Sequence, residues 1–385
     1  MRLYGYKREN GAVGIRNHIA IIPASVCALE VCKRVADNVE GAIYLENQHG
    51  CCQIGPDLDL TAEVLVNLGK NPNVGAALII GLGCEGVNTA KVAAEIATTG
   101  KQVEYLIIQE NGGTMQTQAR GVTIAREMAT RLSQMQRSEI SLSDIFMAVE
   151  CGGSDTTSGL SANPAVGYAS DKVVDGGGIS MVSETTEFIG AEHVLAKRAV
   201  NEEVGARIIK FVKDCEAKAN SMGVDLRTGQ PTPGNIQGGL TTIEEKSLGC
   251  TYKGGSRPIQ GMLNYADMPD KKGLWLMDTP GQDIESITGM VAGGAQVIVF
   301  TTGRGTPTGS PLAPVIKVCG NSDNFRKMQD NIDINAGTII DGEKTIAQVG
   351  EEIFREICEV VNGKYTKAES LKHREFGIYK MISTF

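Results

Sequence analysis

Glu150-Cys151-Gly152-Gly153-Ser154-Asp155 sets a carboxylate, a thiol, two glycines, a hydroxyl and a second carboxylate side by side. The hexapeptide follows the apolar run Ile145-Phe146-Met147-Ala148-Val149, which reads as a buried strand. A turn that only reversed the chain would need the glycines, but not a cysteine beside a glutamate. In open α/β sheets, ligands bind beyond the carboxyl ends of strands. Position alone therefore makes the whole hexapeptide, Ser154 and Asp155 included, a candidate site.

Three further cysteines, Cys51, Cys84 and Cys250, stand in glycine-flanked turns. Glu85 directly follows Cys84, as Glu150 directly precedes Cys151. Soft thiolates with carboxylate and imidazole neighbours suit iron or zinc better than magnesium. Cys51, Cys84, Glu85, Glu150, Cys151 and Cys250 are thus candidate metal ligands, and His49, in the polar loop 46–53, is a candidate ligand or base. Arg16, Lys246, Lys253, Arg257 and Arg304 lie in glycine-rich stretches read as non-helical, where they suit a substrate carboxylate. Arginine binds it bidentately, and a buried lysine can be tuned into a base.

The elements that must position these residues alternate. Strands are expected at 18–23, 42–45, 74–80 and 103–108, with helices over 27–38, 60–68, 89–97 and 115–135 between and after them. Such alternation argues for βαβ units and an α/β fold of mostly parallel sheets with flanking helices. The second half is less regular. Helices are expected over 191–199, 202–219, 346–361 and 369–378, strands at 273–278 and 297–301, and a turn-rich connection from 231 to 257. Two α/β domains are expected, 1–140 and 141–385, the second catalytic and carrying irregular Gly-rich loops.

Bulk properties narrow the function. A chain of 385 residues with 42% hydrophobic and 21% charged residues is an ordinary globular composition. The net charge of −8, with no basic stripe, argues against nucleic-acid binding. No apolar run reaches membrane-spanning length, and the N-terminus lacks a signal-peptide core. Ten cysteines without a C-x-x-C pattern point to reduced thiols and a cytoplasmic location. Gly81-x-Gly83-x-x-Gly86 matches a dinucleotide fingerprint, but Glu85 would put a carboxylate where pyrophosphate needs a positive field.

Taken together, Gly14-x-Arg16-Asn17, Gly50-Cys51-x-Gln53, Gly81-Leu82-Gly83-Cys84-Glu85 and the 150–155 hexapeptide resemble the altronate/galactarate dehydratase family. Ser161-x-Asn163-Pro164, Lys246-Ser247-Leu248-Gly249-Cys250 and Thr302-Gly303-Arg304-Gly305-Thr306-Pro307 extend the resemblance over essentially the whole chain. It implies a lyase that eliminates a β-leaving group, water, from a 2-hydroxy or sugar acid such as altronate, giving a 2-keto acid. It also implies a divalent metal, Fe(II) before Mn(II) and before an iron–sulfur cluster. Under that resemblance Cys51, Cys84, Cys151 and Glu150 lie near the metal, Arg16 and Arg304 near the acidic substrate, and His49 and Lys246 are base candidates.

Two departures qualify the resemblance. Asn47 stands where sugar-acid dehydratases of the family carry a histidine. The chain also begins where fused relatives would end a small N-terminal domain, so the expectation is an oligomeric large subunit. Its partner would be a separate subunit of about 90 residues, within the ordinary size of a domain. The large subunit of (2R)-sulfolactate sulfo-lyase, releasing sulfite and pyruvate, is the alternative. A non-catalytic sugar-acid-binding subunit is the rival of another class.

Overall fold

The computed structural model describes residues 1–382 and 384. β1 (Leu3–Lys7) and β2 (Val13–Gly14) form an antiparallel ribbon. β3 (His18–Pro23), β4 (Ala42–Tyr44), β5 (Val74–Gly81) and β6 (Gln102–Ile107) make a parallel sheet in the order β4-β3-β5-β6. β5 is buried throughout, as a parallel strand covered by helices on both faces must be. β7 (Ser138–Ile140) returns to pair antiparallel with β1.

The second half builds a larger parallel sheet. Its strands are β8 (Phe146–Cys151), β9 (Ile179–Val182), β10 (Ile259–Leu263), β11 (Gly273–Met277), β12 (Val297–Thr302), β13 (Val315–Cys319) and β14 (Ile334–Asn335). The order is β10-β11-β9-β8-β12-β13-β14. From β8 the chain steps outward through β9 to one edge, then returns at β12 and steps to the other. The sheet thus has its switch point between β8 and β12, where the loops at the carboxyl ends diverge and open a crevice. The mostly parallel α/β architecture expected from the sequence is what the structure contains.

The two sheets share a core. Val64, Leu65 and Leu68 of the helix Pro56–Lys70 belong to one apolar cluster with Ile287, Met290 and Val291 of the helix Asp283–Ala292. Buried asparagines lock this seam. Asn71 Nδ2 donates to the carbonyls of Val291 (2.8 Å) and Ala295 (2.9 Å), and Asn73 Nδ2 to those of Gln296 (2.8 Å) and Leu312 (3.0 Å).

Two local expectations change. The connection read as turn-rich contains a helix, Ile243–Thr251, started by Thr242, whose side chain accepts the Glu245 N–H. The helix expected over 369–378 is only Lys367–Ser370. Lys372, at φ 62°, ends it, and the chain then runs extended until the Met381 and Ile382 amides donate to the buried Asp57 carboxylate at 2.8 and 2.6 Å.

Candidate active site

The strand alternation of β8 sends its last two side chains to opposite faces. Cys151 points toward the helix Ile243–Thr251 and the turn Tyr252–Gly254, and Glu150 toward the helix Asp283–Ala292. Around Cys151 Sγ stand Glu187 Oε2 at 2.7 Å, Lys253 Nζ at 3.2 Å, Cys250 Sγ at 3.7 Å and Ser154 Oγ at 3.9 Å. Lys253 is fully buried, and its ammonium also donates to Glu184 Oε2 and Glu187 Oε2, both at 2.9 Å. On the other face, Glu150 Oε2 accepts from Ser183 Oγ (3.0 Å) and Ser286 Oγ (2.6 Å). Its Oε1 is buried without a hydrogen-bond partner among the described residues.

Glu184 joins the two faces. It follows β9 in the left-handed region, at φ 70° and ψ 74°, a strained conformation for a residue with a side chain. Its N–H donates to Thr279 Oγ1 at 2.8 Å, and its carboxylate accepts the Cys151 N–H at 3.3 Å. The strain turns a carboxylate across the strand end that the extended backbone would have sent away.

The electrostatics follow from burial against two lysines. Burial pushes the Glu150 carboxyl up to about 8, against the opposing pull of Lys253. Burial and the nearby Glu150 and Glu187 raise Glu184 well above the carboxylate range. Glu187 shifts the other way. Burial opposes its charge, but Lys253 and Lys246 together hold it ionised, below the usual range. Both glutamates accept from Lys253 at 2.9 Å, but Glu187 also has Lys246 Nζ 3.5 Å from its Oε1 and the Cys151 thiol on its Oε2, whereas Glu184 has Glu150 beside it. Burial and Glu187 raise Asp283 to about 6. The Cys250 thiol and burial push Cys151 upward. Burial alone would lower Lys253, but the thiol and carboxylates around it hold it above its ordinary value.

Two groups of three metal-ligating side chains bring their ligand atoms within 4.8 Å of one another, Cys151/Glu187/Cys250 and Glu150/Glu184/Asp283. Of the residues singled out from the sequence, the structure gathers Glu150, Cys151, Ser154, Lys246 and Cys250. Glu184, Glu187, Lys253 and Asp283 complete the cluster. The signal for the two glutamates was Ser183-Glu184-Thr185-Thr186-Glu187, two carboxylates just past a strand, and Lys253 was among the five basic residues of glycine-rich stretches.

The other sequence candidates lie elsewhere. Cys51, Cys84, Glu85 and His49 sit at the carboxyl edge of the smaller sheet, outside both ligand groups. Cys51 Sγ lies 3.7 Å from Cys52 Sγ. The Glu85 carboxylate accepts the N–H groups of Gly83 (2.6 Å) and Cys84 (3.1 Å) and the Thr89 hydroxyl (2.9 Å). Burial holds His49 below its ordinary value. The Asp155 carboxylate accepts the Ser158 N–H at 2.8 Å and the Thr157 hydroxyl at 2.7 Å. Arg304 flanks the hexapeptide through its N–H to the Gly153 carbonyl (3.1 Å), and its guanidinium donates to the Gly234 carbonyl at 2.8 Å. Arg16 is buried away from the cluster. It binds Glu369 through two nitrogens at 2.7 and 2.9 Å and donates to the carbonyls of Ile15, Val360 and Lys364.

A buried set of acids, thiols and lysines at the switch point of a parallel sheet defines an α/β enzyme. The comparisons specify which. Residues 142–384 match the C-terminal domain of D-galactarate/altronate dehydratase, and residues 5–133 the second domain of D-galactarate dehydratase/altronate hydrolase. The chain belongs to this family, and is an enzyme of the lyase type. It is 39% identical to (2R)-sulfolactate sulfo-lyase subunit beta of Chromohalobacter salexigens, over 99% of this chain and 97% of that protein. It is 33% identical to altronate dehydratase of Bacillus subtilis, covering 98% of this chain and 77% of the relative. Identity to the L-threo-forming galactarate dehydratase of Escherichia coli is 36%, over 99% and 76%. No helix among the described residues is long and apolar enough to cross a membrane.

Proposed function

We propose that this lyase eliminates a β-substituent from a small 2-hydroxy acid, giving a 2-keto acid, and that it does so with a divalent transition metal, Fe(II) fitting best. The observation that carries this reading is the buried Cys151/Glu187/Cys250 set with two lysines against it. Two thiols and a carboxylate match a borderline-soft ion. Such an ion, when bound, supplies Lewis-acid polarisation of a substrate oxygen.

The chain's own residues do the rest. Lys246, Cys250, Ser154 and Asp155 line a pocket of about 220 Å³ that reaches the cluster between residues 154–163 and the helix Ile243–Thr251. Lys246 is held protonated above its ordinary value, chiefly by Glu187 against the effect of burial. That makes it an anchor for the substrate carboxylate or an acid for the leaving group, and unsuited to the role of base. Asp283, half-buried and near 6, is ionised at neutral pH and suited to take the C2 proton. Glu150, protonated below about 8, can return one.

The leaving group is water in one reading and sulfite in the other. The second is favoured by the relative matched over 97% of its length. Because that relative is named a beta subunit, a separate partner subunit is part of the proposal. The test is anaerobic incubation with Fe(II) or Mn(II) and altronate, galactarate or (2R)-sulfolactate, with and without a co-expressed small subunit. Keto-acid release is expected, with sulfite only from the sulfonate. No keto acid from any of the three, with either metal and with the partner present, overturns the reading.

A further inference from the structure

The largest cavity described, about 800 Å³, lies away from the catalytic cluster, at the amino-terminal edge of the smaller sheet. It is walled by the starts of β3 and β4, by the loop 310–313 and by the segment 365–374. We propose that this cavity is a second, non-catalytic binding site for a small hydroxy-carboxylate anion, held by Arg374 and Lys372 with hydroxyl contacts to His18, Asp37 and Glu40.

Lys372 is the first observation. The Lys372 N–H donates to the Glu369 carbonyl at 3.0 Å and the His373 N–H to the Ala368 carbonyl at 2.9 Å, which closes the helix Lys367–Ser370 as a Schellman motif. Lys372 occupies the left-handed position of that motif, at φ 62°, where glycine is the usual residue. A lysine there carries a steric cost that local folding does not explain. What it gains is an ammonium on the cavity wall, with no ion pair among the described residues.

Arg374 is the second. Two residues on, Arg374, a half-buried residue, lines the same cavity, again with no hydrogen bond or ion pair among the described residues. A free guanidinium fork is made for a bidentate oxyanion. Asp37, Glu40 and Glu369 line the cavity too; Glu369 is paired with Arg16, and Asp37 and Glu40 form no ion pair with either cation among the described residues. A lining of two unpaired cations and two unpaired carboxylates suits a ligand with an anionic end and hydroxyls. His18, which also lines the cavity, is kept neutral, near 3, by burial and then by Arg16, Arg374 and Arg8. A neutral imidazole offers one donor and one acceptor to a hydroxyl, beside the Arg374 guanidinium on the same cavity wall.

This site stands apart from the lyase reading and can fail without it. Calorimetric titration of the full chain with potassium tartrate and with inorganic phosphate tests it, in wild type and in Cys151→Ser, Lys372→Gly and Arg374→Gln. Tartrate should bind to wild type and to Cys151→Ser alike, and about tenfold more weakly or worse to the two cavity variants. Lys372→Gly should unfold at an unchanged or higher temperature, since glycine fits the left-handed position. Three results would overturn the proposal. These are tartrate binding equally to all four proteins, tartrate binding lost only in Cys151→Ser, and binding of phosphate alone or of neither probe.

Discussion

Lys253 holds together a cluster that would otherwise repel itself. Its ammonium meets two glutamates and a thiol with no water between them. Removing one partner of a buried ion pair leaves the other uncompensated, so Lys253→Met is expected to destabilise by about 3–5 kcal/mol, measured by denaturant unfolding. Cys151→Ala should lose bound metal and turnover together while far-UV circular dichroism is unchanged. A variant that keeps both would leave the hexapeptide as no more than a turn. Glu150→Gln should also fold and fail to turn over, because the native carboxyl is already neutral at pH 7. It separates catalysis from linkage as well. The folded carboxyl, near 8, binds its proton more tightly than the unfolded one, near 4.5. Stability from this group is therefore complete below the lower value and is lost as pH rises through the higher one. Metal-free wild type should lose up to about 1.4 kcal/mol per pH unit across that window, and Glu150→Gln should lose less.

At the scale of elements, the cluster depends on how closely the helix Asn163–Asp175 meets the turn that carries Lys253. A Cβ on Gly167 would stand 2.1 Å from the Tyr252 carbonyl oxygen, which is backbone and cannot swing aside. Gly167→Ala should cost about 1–3 kcal/mol and depress turnover. Gly229→Ala, whose Cβ would meet nothing within 4 Å, should do neither. The elements also show what the sequence could and could not disclose. β8 and its hexapeptide were legible because a fully buried parallel strand is a continuous apolar run and its end is chemically conspicuous. Glu184 and Glu187 were legible only as two acids after a strand. Their convergence on Cys151 requires the left-handed turn at Glu184, which no periodicity announces. Lys253 was one of five basic residues in glycine-rich stretches, and only the fold separates it from Arg257, which pairs with Asp175 at the surface. Arg16 looked like a substrate arginine for the same reason that it serves the fold, since its glycine-rich segment lets the chain wrap around it. The helix Ile243–Thr251 was hidden by the glycines on either side of it.

For the whole molecule, the division at 1–140 and 141–385 stands as a proposal, supported by where the two family matches meet and tested by limited proteolysis at 134–141. The buried Asn71 and Asn73 bonds across the seam argue that the halves will not separate freely once cut. Arg16 adds a constraint of time. Its guanidinium is bound to Glu369, 353 residues later in the chain. At about 5–20 residues per second of synthesis, that partner emerges tens of seconds after Arg16 does. Through that interval the smaller sheet can assemble its strands but must keep an arginine in solution that the finished protein buries. The first half should therefore be a poor folder by itself and safe only when the last helix arrives. A 1–140 fragment is expected to be less stable than the same fragment carrying Arg16→Met, whereas in the full chain that substitution should destabilise, the two compared by thermal unfolding. The order of synthesis thus leaves an arginine of the first strands waiting on a glutamate 353 residues away before both can be buried as a pair.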